Sequence, residues 1–225
     1  MRHTYQLRPI TVVALLVLSG CSAKTDAAPD TANTAAQTTA MAGMDHSMDH
    51  GDDHGMTYPV TIPTGALYTK VDVRFMQGMI AHHAQAIFMS RLAESHGASP
   101  RLLKLAMKID QSQMTEIDQM QGWLRANGQV APDTSSYHTV MMDGMLTAEQ
   151  ITQLTDAKGV EFDRLFLTFM IMHHEGALKM VKDLNASPGA AQDVDISVFA
   201  NEVEVVQTAE IDVMKQMLHE LPPSP

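Results

Sequence analysis

Apolar residues recur along two stretches of the chain at steps of four and three, the spacing of a helix that buries one narrow seam. Each seam contains one histidine, and each of these histidines is followed directly by a second one. The two seams lie 91 positions apart: Phe75, Met79, His82, Ala86 and Met89, then Phe166, Met170, His173, Ala177 and Met180. The pattern predicts a duplicated helix that carries imidazoles on its buried face.

Two further stretches have the same kind of seam, but here a glutamine and a glutamate stand among the apolar residues. These seams are Ile109, Gln113, Glu116, Met120 and Leu124, and, 94 positions later, Val203, Gln207, Glu210, Met214 and Leu218. Four such seams predict an all-α four-helix bundle made of two duplicated hairpins. The bundle is expected over 67–221, with halves 67–128 and 146–221.

Turn and capping signals set the expected helix bounds at about 68–95, 99–128, 147–184 and 195–221. Ser99 followed by Pro100 has the form of an N-cap with proline in the first turn. Thr147 and Gln150 stand at the spacing of a capping box. The start of the last helix is the least defined bound, because Pro188 and Gly189 precede it.

The first twenty residues have the organisation of an export signal, with Arg2 and Arg8 before a short apolar run over 10–18. The sequence Leu-Ser-Gly-Cys that ends at Cys21 resembles the lipobox of bacterial lipoproteins, in which the cysteine is acylated. We therefore expect a periplasmic protein with a lipid anchor at Cys21. Ser22 resembles the sorting pattern for the outer membrane. The alternative is an ordinary cleaved signal with an incidental cysteine.

Charge and cysteine content narrow the function further. The formal net charge is −11, and removal of Arg2 and Arg8 with the signal changes it to −13. Such an acidic protein attracts cations and repels nucleic acid, so nucleic acid is not an expected partner. Cys21 is the only cysteine, so no thiolate remains in the folded part to bind a metal.

The seam residues are candidate metal ligands because several buried polar groups at symmetric places need partners or a bound cation. For His82 and His173 the alternative is a structural hydrogen bond to Glu116 and Glu210. His83 and His174 lie beside the seam, where the alternative is exposure to solvent. The candidate ligands are His82, His83, His173, His174, Glu116, Glu210, Met79 and Met170, with Gln113 and Gln207 as hydrogen-bonding groups behind them. For the methionines the alternative is ordinary core packing.

Residues 21–66 contain few branched aliphatic residues and are expected to form a tether. A tract in this tether concentrates soft and imidazole ligands, which favours copper or silver. Its members are Met41, Met44, His46, Met48, His50, His54 and Met56. A smaller cluster of the same character contains His138, Met141, Met142 and Met145. For the tract, the alternative is the chance composition of a linker. For the smaller cluster, the alternative is an apolar loop that packs over the end of the bundle.

The chain resembles the bacterial domain-of-unknown-function family 305 over about residues 68–220. The matching motifs are Phe75-Met-Gln-Gly-Met-Ile-Ala-His-His-Ala-Gln-Ala86, Gln113-Met-Thr-Glu-Ile117, Asp143-Gly-Met145, Met170-Ile-Met-His-His-Glu-Gly-Ala177 and Gln207-Thr-Ala-Glu-Ile211. The resemblance implies a ferritin-like four-helix bundle that is exported, with copper binding in some relatives. The ligand candidates it implies are His82, His83, His173, His174, Met142 and Met145.

The leading hypothesis is a membrane-tethered periplasmic protein that binds copper as Cu(I) or Cu(II), or silver, for sequestration or for hand-off to copper-handling partner proteins. One alternative is an enzyme with a dinuclear iron or manganese carboxylate centre, for which Glu116 and Glu210 match half of the ligand pattern of such bundles. The other is a structural or partner-binding bundle. No catalytic residues are predicted, and enzymatic activity is not expected.

Overall fold

A computed structural model describes residues 55–223. Within this range the chain forms helices α1 (Lys70–Ser95), α2 (Pro100–Ala126), α3 (Ala148–Asp156), α4 (Gly159–Ala186) and α5 (Val194–Glu220), and a 3-10 helix (Thr134–His138). The signal, Cys21 and six of the tract residues (Met41, Met44, His46, Met48, His50 and His54) lie outside the described residues. No helix in the described range is long and apolar enough to cross a membrane.

Side-chain caps begin four of the five α-helices in the described range, α1, α2, α3 and α5. Ser99 accepts a hydrogen bond from the backbone of Leu102, and Thr147 and Gln150 form a reciprocal capping box, so both predicted caps are confirmed. Thr69 caps α1, and Asp193 caps α5. Each cap pairs backbone N–H groups that have no partner within the helix.

The single helix predicted over 147–184 is wrong, because the structure divides it into α3 and α4. Ala157 and Lys158 are extended, and Gly159 begins α4 with φ +58°. A backbone in this region suits glycine, which has no Cβ to clash. The Gly159 N–H then donates to the carbonyl oxygen of His96 at the end of α1. The break therefore ties the start of α4 to the first hairpin.

The helices pack as α1 on α2, α4 on α5, and α1 on α4. Most of the apolar core lies in two clusters, one toward the amino end of α1 and one toward its carboxyl end. On both α1 and α4 the boundary between these clusters falls at the His-His pair. The observed architecture is thus an all-α bundle. A layer of imidazoles interrupts its apolar core.

Two duplicated aspartates join the hairpins to each other. Asp72, on α1, accepts a 2.7 Å hydrogen bond from the backbone N–H of Ala191, in the loop between α4 and α5. Asp163, on α4, accepts from the N–H of Ser99, in the loop between α1 and α2, at 3.2 Å. Both aspartates are almost fully buried. Each hairpin therefore holds the loop of the other.

Residues 55–66, which the sequence assigns to the tether, lie on the bundle rather than apart from it. Met56 is buried with Ala81 and Val140. The Gln129 side chain donates a 2.7 Å hydrogen bond to the carbonyl oxygen of Thr61. The chain is therefore attached to the bundle surface before α1 begins.

Candidate metal centre

The centre of the bundle is a pair of histidines, one from each hairpin. His82 on α1 and His173 on α4 have ring centroids 3.7 Å apart and planes tilted by 38°. Neither side chain is accessible to solvent. The pair forms because the seams of α1 and α4 face each other, so equivalent positions of the duplication meet.

Most ring nitrogens of this pair have no polar partner. Nε2 of His82 lies 3.1 Å from the carbonyl oxygen of Asp143. Nδ1 of His82 and both nitrogens of His173 have no hydrogen-bond partner in the described range. A buried polar group without a partner costs about 1–3 kcal/mol. Three such atoms in one place are a feature that needs an explanation, and a metal ion would supply one.

Burial sets the protonation state of both rings. Loss of solvent holds the pKa of His82 and that of His173 well below the ordinary value of 6.5, and repulsion from the neighbouring imidazoles lowers both further. Both side chains are therefore neutral near pH 7. Neutral imidazole has a free lone pair, which is the form that binds copper, zinc or iron.

The second histidine of each doublet bonds to a glutamate of its own hairpin. Nε2 of His83 lies 2.5 Å from Oε2 of Glu116, and Nε2 of His174 lies 3.0 Å from Oε2 of Glu210. Glu210 is buried, whereas the Glu116 side chain is 19% exposed. The two halves thus repeat one imidazole–carboxylate pair.

This arrangement differs from two of the alternatives that the sequence left open. The glutamates bond to His83 and His174 rather than to His82 and His173, and His83 and His174 are fully buried rather than facing solvent. One residue along a helix turns the side chain by about 100°. The seam with His82 therefore faces the other hairpin, and the next residue faces the helix within the same hairpin.

Gln113 and Gln207 lie one turn before the two glutamates and are almost fully buried. Oε1 of Gln113 and both polar side-chain atoms of Gln207 have no hydrogen-bond partner in the described part of the chain. The expected role behind the ligands remains a prediction, because neither amide bonds to a histidine here. Their free oxygens add to the unpaired polar atoms in the bundle.

The connector between the hairpins is held on the centre by a close backbone contact. A Cβ on Gly176 of α4 would lie 2.0 Å from the carbonyl oxygen of Asp143, so only glycine fits there. Gly144 has φ +78°, and a Cβ on it would lie 2.6 Å from the carbonyl oxygen of Met172. This contact brings the Asp143 carbonyl to His82.

Thioether groups come from the two seams and from the connector. Met79 and Met170, one turn before His82 and His173, are fully buried. In the connector, Sδ of Met145 accepts a 3.3 Å hydrogen bond from the Met142 N–H. A Cβ on Gly78 would lie 2.7 Å from Cε of Met142 and 3.6 Å from Cε of Met56.

Gly78 therefore brings Met56, the last residue of the predicted tract, together with the connector methionines. The other two members of the smaller predicted cluster, Met141 and His138, do not join these methionines. Met141 is 49% exposed, and His138 is exposed and packs on Tyr137 with ring centroids 3.9 Å apart. The structure thus joins Met142 and Met145 to Met56 but separates them from Met141 and His138.

Comparison with known proteins places the chain in a family. The family model for a domain of unknown function, DUF305, matches residues 72–218. The chain belongs to the DUF305 family. No curated protein shows significant similarity to it.

Several solved structures of DUF305 type resemble this one. A DUF305 protein from Streptomyces coelicolor that is predicted to be secreted is 25% identical, with a TM-score of 0.59 over 67% of this chain and 93% of that one. A DUF305 fragment from Deinococcus radiodurans is 26% identical, with a TM-score of 0.59 over 68% and 99% of the two chains. CopM in its Cu(I)-bound form is 29% identical, with a TM-score of 0.53 over 66% and 95%. CopM has also been crystallised in Cu(II)-bound and silver-bound forms.

For one of the alternatives from the sequence, the described part of this DUF305 chain offers no matching set of ligands. No three histidine, aspartate or glutamate side chains within 55–223 converge as a set that could hold a metal ion. A dinuclear iron or manganese centre requires such a set of carboxylates and imidazoles, so it has no geometric support. Thioethers are not part of that set, and they favour Cu(I), which is stable at low coordination numbers.

The sequence analysis missed the role of the connector backbone and that of the helical glycines. Asp143 acts through its carbonyl oxygen, which no side-chain pattern reveals. A signal was present at Gly176 and Gly78, since glycine inside a helix costs about 1 kcal/mol relative to alanine. Another segment approaches the backbone closely at Gly78 and Gly176, whereas none does at Gly122 within α2.

Proposed function

We propose that this protein binds copper or silver outside the cytoplasm, as the monovalent ion, and holds it at His82 and His173 between the two hairpins. The observation that carries the proposal is the group of three unpartnered ring nitrogens in this fully buried pair. A soft cation bound here would be coordinated by these nitrogens and would remove the cost of leaving them unpaired. The buried thioethers of Met79 and Met170 supply further soft ligands one turn away.

The neighbouring pairs support this centre. His83 and His174 carry their glutamate partners on the side facing α2 and α5. A carboxylate hydrogen-bonded to an imidazole fixes the orientation of its ring and raises its basicity. Nδ1 of both rings has no partner in the described residues, which leaves these nitrogens as additional ligands.

The tract Met41–Met56 would capture the ion by ligand exchange and pass it on to the bundle. A lipid anchor at Cys21 would keep this activity at the periplasmic face of a membrane, most simply the outer one. The acidic character of the chain favours accumulation of cations near it. Sequestration, and hand-off to copper-handling partners, are the physiological roles that fit such an arrangement.

Copper binding can be assigned to its sites by titration of Cu(I) against a coloured chelator. Four chains are compared: the wild type, a His82→Asn/His173→Asn variant, a variant with the tract methionines and histidines of 41–54 replaced by serine, and the combination. We expect each single change to remove part of the bound copper and the combination to remove nearly all of it. A tract variant that keeps copper only when His82 and His173 are present supports the bundle centre.

Two results would contradict the proposal. If none of the four chains retains Cu(I) or Ag(I), the protein is not a copper-binding protein. If the His82→Asn/His173→Asn variant, shown to be folded by circular dichroism, retains as much copper as the wild type, the ion is not held at the histidine pair. In that case the bundle has a structural role.

A further inference from the structure

A groove lies between helices α2 and α5, and Glu210 is among the residues that line it. The groove has a volume of about 440 Å³. Its α2 side carries Arg101, Lys104 and Lys108, and its α5 side carries valines, of which Val205 is 61% and Val213 is 43% exposed. One wall is therefore basic and the other apolar.

The groove leads to the buried centre through Glu210. This residue lines the groove, although only 4% of its surface is exposed. Its Oε2 bonds to His174, while its Oε1 has no hydrogen-bond partner in the described range and lies 3.9 Å from Nζ of Lys108. The floor of the groove thus includes a buried carboxylate that is already joined to the histidine layer.

The charge of the basic wall does not suit a free cation. The first part of α2 carries Arg101, Lys104 and Lys108 and no acidic residue before Asp110, in a chain with a net charge of −11. Arg101 also pairs with Glu220. Three positive side chains at an entrance repel a hydrated metal ion, but they attract an ion that arrives on an acidic carrier.

The chain itself contains a segment with the matching chemistry. No lysine or arginine occurs between Lys24 and Lys70, and residues 41–54 contain four aspartates and three methionines. The aspartates would face the basic wall of the groove, and the methionine side chains would contact the valines. Thioether side chains adapt well to irregular apolar surfaces of this kind.

Residues 41–54 are long enough to reach the groove, and their attachment to the bundle gives them a high local concentration there. Residue 55 is the first described residue, and Met56 is held in the bundle. Fourteen residues extend to at most about 46 Å, more than the width of two packed helices, which is about 20 Å. A segment linked this closely has an effective concentration in the millimolar range, so weak contacts with the groove suffice.

We propose that the groove between α2 and α5 is the docking surface for residues 41–54 of the same chain, with aspartates against Lys104 and Lys108 and methionines against Val205 and Val213. Docking places the metal-binding tract beside Glu210 and so delivers the ion to the His174 side of the centre. The delivery step rests on the proposed copper-binding function. The docking itself does not require a metal.

Paramagnetic broadening in the metal-free, full-length mature chain tests the docking directly. A spin label is attached at Ser47→Cys in a Cys21→Ser background, and the methyl signals of valines are recorded. We expect strong broadening at Val205, Val206 and Val213, and none at Val71 and Val160, which are exposed on α1 and α4. In about 1 M salt, where the Debye length is about 3 Å, the broadening should decrease.

Charge reversal provides the matched comparison. Lys104→Glu/Lys108→Glu should remove the greater part of the broadening. Lys158→Glu/Lys182→Glu, the same change of charge at two exposed sites, one just before α4 and one on it, should leave the broadening unchanged. Equal broadening at all five valines, or no effect of the groove reversal, would overturn the proposal. So would broadening seen only between a spin-labelled copy and an unlabelled one, since the occupant would then be a second molecule.

The copper titration described above is independent of this experiment. If the tract and the histidine pair bind copper but the groove valines are not broadened, the docking proposal fails and the proposed function stands. If the valines are broadened but none of the four chains in the titration retains copper, the docking stands and the proposed function fails.

Discussion

The ring centroids of His82 and His173 lie 3.7 Å apart in the middle of the bundle, with the ring planes tilted by 38°, and no hydrogen bond between side chains of the described range holds them there. Protonation of either ring would place a buried charge against the other imidazole. The pair is therefore stable only while both rings are neutral or while a cation lies between their nitrogens. The stability of the fold should therefore depend on pH and on whether a cation is bound at this pair.

Acid should destabilise the metal-free protein through this pair. Both pKa values lie below that of an unfolded histidine, 6.5. Below pH 6.5 the unfolded chain consequently binds more protons than the native chain, and the free energy of unfolding falls with pH. Between pH 7 and pH 5.5 we expect a loss of about 1 kcal/mol for each of the two histidines.

Urea denaturation at a series of pH values measures this loss. The His82→Asn/His173→Asn variant has no imidazoles at the centre, so its free energy of unfolding should depend less on pH over the same interval, by about 2 kcal/mol. The same pH dependence in the wild type and the variant would show that other groups are responsible.

The contact of Gly176 with the connector should tolerate no side chain. Gly176→Ala places a methyl group 2.0 Å from the Asp143 carbonyl oxygen, and the resulting displacement should cost about 3 kcal/mol or more. Gly122→Ala on α2 is the matched control, because no described atom outside its own helix lies within 4 Å of the added Cβ. This control should be neutral or stabilise by up to about 1 kcal/mol. Thermal or urea unfolding of both variants gives the comparison, and equal stabilities would refute the close contact.

The two aspartates that join the hairpins should both stabilise the fold, and Asp72 should contribute more, because it also accepts hydrogen bonds from the backbone N–H and the hydroxyl of Thr69. Asp72→Ala and Asp163→Ala each leave a backbone N–H in a loop without its acceptor, and each should reduce the free energy of unfolding by about 1.5–3 kcal/mol. Asp212→Ala, at an exposed position on α5, should change it by less than about 0.5 kcal/mol. A small effect of both Asp72→Ala and Asp163→Ala in urea denaturation would mean that the loops are held by other contacts.

The imidazole–carboxylate pairs should differ in strength according to burial. Glu210 is almost completely buried, whereas the Glu116 side chain is 19% exposed. Removal of an acceptor from a buried imidazole costs about 1–3 kcal/mol, and water can replace part of the loss where it has access. Glu210→Ala should therefore destabilise the fold more than Glu116→Ala, as measured by the urea midpoint. The reverse order would indicate that water reaches the His174 side.

Much of the fold could be predicted from the sequence, because the duplicated seams at 75–89 and 166–180 repeat the spacing of helices that bury one face. The break before α4 was missed, since Gly159 lies among residues that continue a helical pattern on both sides. Its positive φ depends on the contact with His96, which is distant in the sequence. Local patterns do not contain that information.

The site was predicted in its composition but not in its pairing. The sequence places His82, His83 and Glu116 in the right layer, yet the choice of which histidine meets the glutamate depends on how α1 is rotated against α2 and α4. That rotation is set by the packing of all four helices. The Asp143 carbonyl and the approach of Met56 to Gly78 depend on loop conformations, which side-chain periodicity does not describe.

The ¹⁵N chemical shifts of the imidazole nitrogens, recorded with and without one equivalent of Ag(I), test the central claim most directly. Silver is diamagnetic, so the signals of individual rings remain visible. In a chain without the ligands of 41–54, the account predicts that the shifts of the unpartnered nitrogens of His82 and His173 change when silver is bound. Silver that is retained without any change at these two rings would contradict it.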